Sequence, residues 1–70
     1  MSEYVVIYEQ DEDGGWGAYI PDLPGVVALG TSRDEAAERI QEALSAYAHE
    51  LREQGRPLPA PHHATGTAAA

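Results

Sequence analysis

Four carboxylates near the N-terminus, Asp11, Glu12, Asp13 and Asp22, are of the type that binds divalent cations or transfers protons. Metal-binding loops place their oxygen ligands at fixed alternate positions, and this stretch does not follow that spacing. Asp and Gly also favour turns, and Asp13 is followed by Gly14. A solvated acidic turn is therefore predicted, and an enzyme holding a metal through Asp11, Asp13 and Asp22 is the least favoured hypothesis.

The histidines do not form a recognisable ligand set either. His49 is followed at i+4 by Glu53, where a helical zinc site would have a second histidine. His62 and His63 are adjacent in an alanine-rich ending, where they would bind metal only adventitiously. The chain has no cysteine, and no serine has the histidine and acid partners that would activate it. We therefore predict no catalytic residue, no metal site, no cofactor and no enzymatic activity.

The charge balance indicates the kind of partner instead. Twelve acidic residues face four basic ones, all arginine, and the formal net charge is −8. Such a surface repels phosphate backbones and attracts a basic protein. We therefore predict no direct nucleic-acid binding and a basic partner, although acidity by itself also serves to keep a small protein soluble.

Three short strands are predicted to position these residues. Tyr4–Glu9 and Trp16–Ile20 are rich in β-branched and aromatic residues, and the acidic turn between them predicts an antiparallel hairpin. The segment 21–25 contains two prolines and a glycine, so we expect it not to continue a strand. Val26–Leu29 is then predicted as the third strand.

A single helix is predicted from about Arg33 to about Gln54. Ser32 and Glu35 have the spacing of a capping box, and Gly55 followed by Pro57 ends the helix. Apolar residues at alternating spacings of three and four draw one stripe along it: Ala37, Ile40, Leu44, Tyr47 and Leu51.

These elements predict one α+β domain over residues 1–56, a two-layer β-β-β-α fold with an antiparallel three-stranded sheet and one helix packed on one face. Residues 57–70 are predicted to be a proline-rich exit and a flexible tail. The N-terminus lacks the basic and apolar regions of a secretory signal, so a cytoplasmic location without membrane association is expected.

One helix covers only one face of a sheet, whereas the first strand is apolar on both sides. Small domains without disulfides often gain stability by self-association, so we predict a homo-oligomer. Tyrosines that merely tolerate exposure are the alternative. The predicted partner or oligomer interface combines apolar strand residues with the acidic turn: Tyr4, Val6, Tyr8, Asp11, Glu12, Asp13 and Trp16.

Two motifs together resemble a known family. The strand 18–20 is followed by Pro-Asp-Leu-Pro-Gly at 21–25, and Gly-Thr-Ser-Arg-Asp-Glu-Ala at 30–36 opens the helix. Their order and spacing resemble those of HicB-like antitoxins, and the proline-rich segment 57–61 is similar to the family's exit from the helix. The resemblance covers residues 4 to about 61.

The resemblance implies a partial ribonuclease-H-like shape and binding to a HicA-type toxin, a small basic RNA-cleaving protein whose active site the antitoxin occludes. Members often have a fourth strand and a C-terminal DNA-binding domain. Residues 57–70 are too few for that domain, so we expect a short form lacking it. The same residues are poor in strand formers and give a fourth strand little support, so the sequence leaves that strand open. The alternative is an orphan self-associating domain of the same fold with an unknown ligand or partner.

Overall fold

The computed structural model describes residues 3–70; Met1 and Ser2, at the start of the predicted domain, lie outside that range. Three strands, β1 (Ile7–Gln10), β2 (Trp16–Ile20) and β3 (Leu23–Gly30), are followed by one helix, α1 (Arg33–Glu53). The strands form an antiparallel sheet in the order β1-β2-β3, and α1 packs on one face. The predicted α+β class and β-β-β-α order are confirmed, and residues 3–70 contain no fourth strand.

The starts of two strands differ from the prediction by three residues each. β1 begins at Ile7 rather than Tyr4. The next bonded pair in this register would join Val5 to Pro21, which has no N–H to donate. β3 begins at Leu23 rather than Val26, so the expectation that 21–25 cannot belong to a strand was wrong for its last three residues. Pro24 is tolerated because β3 is an edge strand. The register shifts from Ile20↔Leu23 to Tyr19↔Val27, so residues 24–26 form a bulge.

The acidic turn has a defined backbone. Asp11 accepts a bond from the Gly14 N–H at 3.0 Å and donates its own N–H to Gly15 O at 2.7 Å. Gly14 adopts φ +93°, a left-handed conformation that disfavours other residues. The turn therefore has the type I plus G1-bulge form that joins two antiparallel strands.

Both ends of α1 are capped as the spacing predicted. Ser32 Oγ accepts from the Glu35 N–H at 3.1 Å, while Glu35 Oε1 accepts from the Thr31 N–H at 2.7 Å, one residue before the cap. At the other end Gly55 has φ +68°, and the Arg56 N–H donates to Leu51 O at 2.8 Å. These bonds satisfy main-chain groups that the helix ends would leave without partners.

The core lies between α1 and the adjacent face of the sheet. Ala36 rather than the predicted Ala37 begins the buried helix stripe and is fully buried, while Ala37 is half-buried. Gly30 lies directly beneath this point of the helix, so the first turn packs closely on the end of β3. The buried cluster consists of Ala18, Ile20, Leu23, Val26, Ala36 and Ile40.

Residues 57–70 form no helix or strand, and part of this segment contacts the turn between β2 and β3. Asp22 accepts from the His62 N–H at 3.1 Å, and its other oxygen lies 2.8 Å from His63 Nδ1. Tyr4 donates its hydroxyl to Pro59 O. The division at residue 57 and the flexibility of the tail stay predictions. Within the described residues, no helix combines the length and apolar composition needed to cross a bilayer.

Candidate functional site

The sheet face turned away from α1, here called the open face, carries the most exposed apolar strand residues. Strand register aligns Ile7 with Tyr19 and Val27 across the sheet, and Leu29 with Gly17 in the next row. Side chains of directly paired residues point to the same side, so these rows share one face. Tyr19, Val27 and Leu29 are 40%, 62% and 72% exposed. The open face is therefore an apolar surface without a covering layer among residues 3–70.

The centre of the open face is shallow because of Gly17. A Cβ at Gly17 would lie 3.6 Å from Leu29 Cδ2, so the Leu29 side chain lies across this glycine. Above the face is an open depression of about 560 Å³, bordered at one end by Pro21 and Pro24 and at the other by Glu9 and Asp11. An apolar floor with an acidic border suits a partner that combines apolar and basic side chains.

The strands that form the open face carry no cationic side chain. Strands β1, β2 and β3 contain no lysine or arginine. Arg33 instead lies over the ring of Tyr8, with its guanidinium carbon 4.6 Å from the ring centroid. Arg39 reaches from the helix to the edge of β3, where it donates to Leu29 O at 2.9 Å. The potential over the open face is therefore set by its acidic border and by the net charge, with Arg39 adding a positive charge at the β3 edge.

The structure separates the predicted interface residues into two groups. The acids of the turn, Asp11, Glu12 and Asp13, are all exposed, and Asp11 borders the open face. The apolar group lies on the opposite side of the sheet, half-buried and packed against the core: Tyr4, Val6, Tyr8 and Trp16. The two groups are not brought together on one surface, and the role of each stays a prediction.

The open-face residues Tyr19, Val27 and Leu29 were not among the predicted interface residues. β1 is apolar on both sides and Val26–Leu29 is a continuous apolar run, so alternation alone did not assign their faces. The pairing Ile7↔Tyr19, which follows once the turn length is known, would have placed Tyr19 opposite the helix.

Two carboxylates are held by hydrogen bonds away from the open face. The Thr31 N–H lowers the pKa of Glu35; partial desolvation opposes this, and nearby Arg39 adds to the lowering. For Asp22, desolvation raises the pKa, but the His62 N–H and the His63 imidazole outweigh it and lower the pKa overall. Both carboxylates are thus ionised acceptors in structural contacts. Among residues 3–70, no group of three or more metal-ligating side chains is present.

Comparisons with known proteins identify the family. A family model described as "HicB_like antitoxin of bacterial toxin-antitoxin system" matches residues 4–70. The UPF0150 protein Ta0767 of Thermoplasma acidophilum is 37% identical over 57 residues, covering 81% of this chain and 83% of that protein. The UPF0150 protein ssr1765 of Synechocystis is 36% identical over 56 residues, covering 80% and 71% respectively.

A solved structure agrees with this family assignment. The N-terminal domain of the Burkholderia pseudomallei antitoxin HicB superposes with a TM-score of 0.71 at 26% sequence identity. The match covers 89% of this chain and 69% of that one. The resemblance drawn from the motifs at 21–25 and 30–36 is therefore confirmed. The chain belongs to the HicB-like antitoxin family of bacterial toxin–antitoxin systems.

Proposed function

We propose that this protein neutralises a small basic RNA-cleaving toxin of the HicA type by binding it through the open face and covering its active site. The observation that carries the proposal is the open face itself, an exposed apolar surface bordered by Glu9 and Asp11 with no cation on its strands. Family membership supports the antitoxin role.

The two properties of the face have separate roles in binding. The net charge of −8 and the acidic turn attract a basic protein at long range and accelerate encounter. Burial of Tyr19, Val27 and Leu29 then slows dissociation, because removing apolar area from water stabilises the complex by roughly 25 cal/mol per Å² before the costs of association.

The same charge argues for a protein partner rather than RNA or DNA. A nucleic-acid backbone would meet the acidic border and no compensating arginine on the strands. We therefore propose that the chain acts by occlusion, without catalysis, cofactor or direct nucleic-acid contact, in the cytoplasm where a ribonuclease toxin finds its substrate. Self-association is also part of this proposal.

The experiment is co-expression with the product of a small basic reading frame neighbouring the gene. The wild-type chain should restore growth, form a complex in titration calorimetry and inhibit RNA cleavage by the purified toxin. Leu29→Lys places a cation at the most exposed apolar position of the open face. We expect it to weaken binding at least ~10-fold, the order of one lost apolar contact.

Ala46→Lys is the matched control, since Ala46 is exposed on α1 and the substitution adds the same charge away from the open face. Ala46→Lys should bind like the wild type. Equal weakening by both substitutions would reject the open face as the docking surface. Failure of the wild-type chain to bind or inhibit any neighbouring basic product would reject the antitoxin role and favour the orphan domain.

A further inference from the structure

We propose that β3 is a dimerisation edge, which pairs in antiparallel orientation with β3 of a second copy about a two-fold axis beside Val27. The inference rests on the self-association proposed above and is independent of toxin binding. Dimerisation would extend the sheet from three strands to six and leave the open face accessible on both copies.

Hydrogen-bond alternation shows which main-chain groups point outward from β3. The Asp11 N–H bond to Gly15 O marks 11 and 15 as a bonded pair. In an antiparallel ladder bonded and non-bonded pairs alternate, so the β2 residues Gly17 and Tyr19 bond to β1, while Ala18 bonds to Ala28 of β3. Val27 and Leu29 therefore direct their N–H and C=O groups away from β2.

A side-chain contact agrees with this assignment. Arg39 Nη1 donates to Leu29 O at 2.9 Å, which requires that carbonyl to face outward. Among the hydrogen bonds of residues 3–70 outside the strand ladders, none involves the main chain of Val27. A second strand would give both Val27 main-chain groups partners, and unpaired edge groups are a template for such pairing.

Side-chain exposure on the open face increases across the sheet from β1 to β3. In the row Ile7, Tyr19, Val27, the β1 residue is half-buried, the β2 residue is 40% exposed and the β3 residue is 62% exposed. Being at an edge is not a sufficient explanation, because Ile7 also belongs to an edge strand. The surface that lacks a neighbour is thus at β3, where a second copy would place its own Val27 in cross-strand contact.

Charge favours a second copy as the occupant. Two chains of net charge −8 repel each other wherever acids meet, and the other edge strand carries Glu9 and continues into the acidic turn. β3 contains no charged residue, and the side chain bonded to its outer main chain is the cation Arg39, which also pairs with Glu35 at 3.7 Å. At this edge, two identical acidic chains can therefore pair their strands without like charges directly opposite each other.

The features of β3 that hinder pairing with another strand lie on either side of the proposed two-fold axis. Pro24 lacks an N–H and the bulge follows it, so pairing is blocked at the beginning of β3. Near the end of β3, Arg39 donates to Leu29 O and so occupies one of its lone pairs. Val27 lies between these features, and in a two-fold pair each copy's Val27 would donate to and accept from the other's.

The test uses the full chain alone. Sedimentation from about 1 µM to about 1 mM should show a monomer–dimer equilibrium. Val27→Pro removes the outward main-chain N–H while sparing the bonds to β2. Val27→Thr keeps this main-chain N–H and has a side chain of the same shape. We expect Val27→Pro to raise the dimer dissociation constant about 10-fold or more, from two lost hydrogen bonds, and Val27→Thr to leave it nearly unchanged.

A measurement on the wild-type chain tests the proposal even if the proline variant does not fold. Hydrogen exchange of the Val27 amide, followed by NMR, should slow as the dimer population rises, while that of an exposed turn amide such as Glu12 should not. Tyr19→Lys, on the open face one strand inward, should leave the dimer intact. The proposal is overturned if no dimer forms, if the Val27 amide exchanges freely in the dimer, or if Tyr19→Lys abolishes the dimer, which would indicate stacking of open faces.

Discussion

Gly30 lies so close to the first turn of α1 that a Cβ on it would be 2.7 Å from the Ala36 nitrogen. Ala36 is itself fully buried. This contact fixes the distance between the end of β3 and the helix, and it makes glycine a requirement of packing at this position.

Gly30→Ala should therefore destabilise the protein, by about 1–3 kcal/mol as expected for overpacking of a core. The free energy of unfolding from urea denaturation is the measurement. Gly25→Ala is the matched control, because a Cβ at Gly25 has no neighbour within 4 Å. Equal effects of the two substitutions would show that backbone freedom, rather than the contact with Ala36, determines the cost.

Ser32→Ala should lower the free energy of unfolding by about 1 kcal/mol, because the Glu35 N–H loses its acceptor at the start of α1. Ser45→Ala, an exposed substitution in the middle of the same helix, should have little effect. A denaturation midpoint unchanged by Ser32→Ala would assign the cap to the Thr31–Glu35 contact instead.

Stability should fall in acid through Glu35 and Asp22, whose pKa values are lowered in the folded chain. A carboxylate with a lowered pKa contributes stability above its unfolded pKa, near 4, and loses that contribution as pH falls through the folded value. Thermal unfolding between about pH 6 and pH 2.5 should show this loss below about pH 4. Glu35→Gln should flatten the profile in that range, and a profile of unchanged steepness would contradict the assigned role of Glu35.

The acidic turn should control the rate of encounter with a basic toxin. Changing Asp11, Glu12 and Asp13 together to Asn, Gln and Asn should lower the association rate and its dependence on salt, with a smaller effect on dissociation. Stopped-flow or biosensor kinetics at several ionic strengths is the measurement.

A second triple variant removes the same charge from α1, through exposed acids at Glu38, Glu42 and Glu50 changed to Gln. If net charge alone attracts the partner, both triple variants will slow association equally. A larger effect of the turn variant would support its position beside the open face as the cause.

The parts of the fold that could be predicted from sequence are those determined by residues close together in the chain. Ser32 and Gly55 act within one turn of the chain, so the predicted helix ends agree with α1 to within one residue. The start of β3 depended on Pro24 lying on an edge strand, which is a property of sheet order rather than of the segment. The sides occupied by Tyr8 and Tyr19 depended on pairing between strands, because an apolar run without alternation does not indicate its face.

The surface proposed to bind the partner was harder to predict than the fold for the same reason. Tyr19, Val27 and Leu29 come from two strands and share a face only through the register of β2 with β3. The acids of the turn were predictable as exposed, since Asp13-Gly14 is a turn signal in itself. Family resemblance added the kind of partner but did not distinguish between the faces of the sheet.

The strand order β1-β2-β3 has a kinetic consequence, because each strand pairs only with its neighbour along the chain and α1 follows at once. Short-range pairing gives a low contact order, and mixed domains of this kind fold within about milliseconds to a second. A ribosome adding roughly 5–20 residues per second needs about 4–14 s for 70 residues. The supply of binding-competent protein in a growing cell should therefore be set by translation and degradation, with folding adding almost no delay.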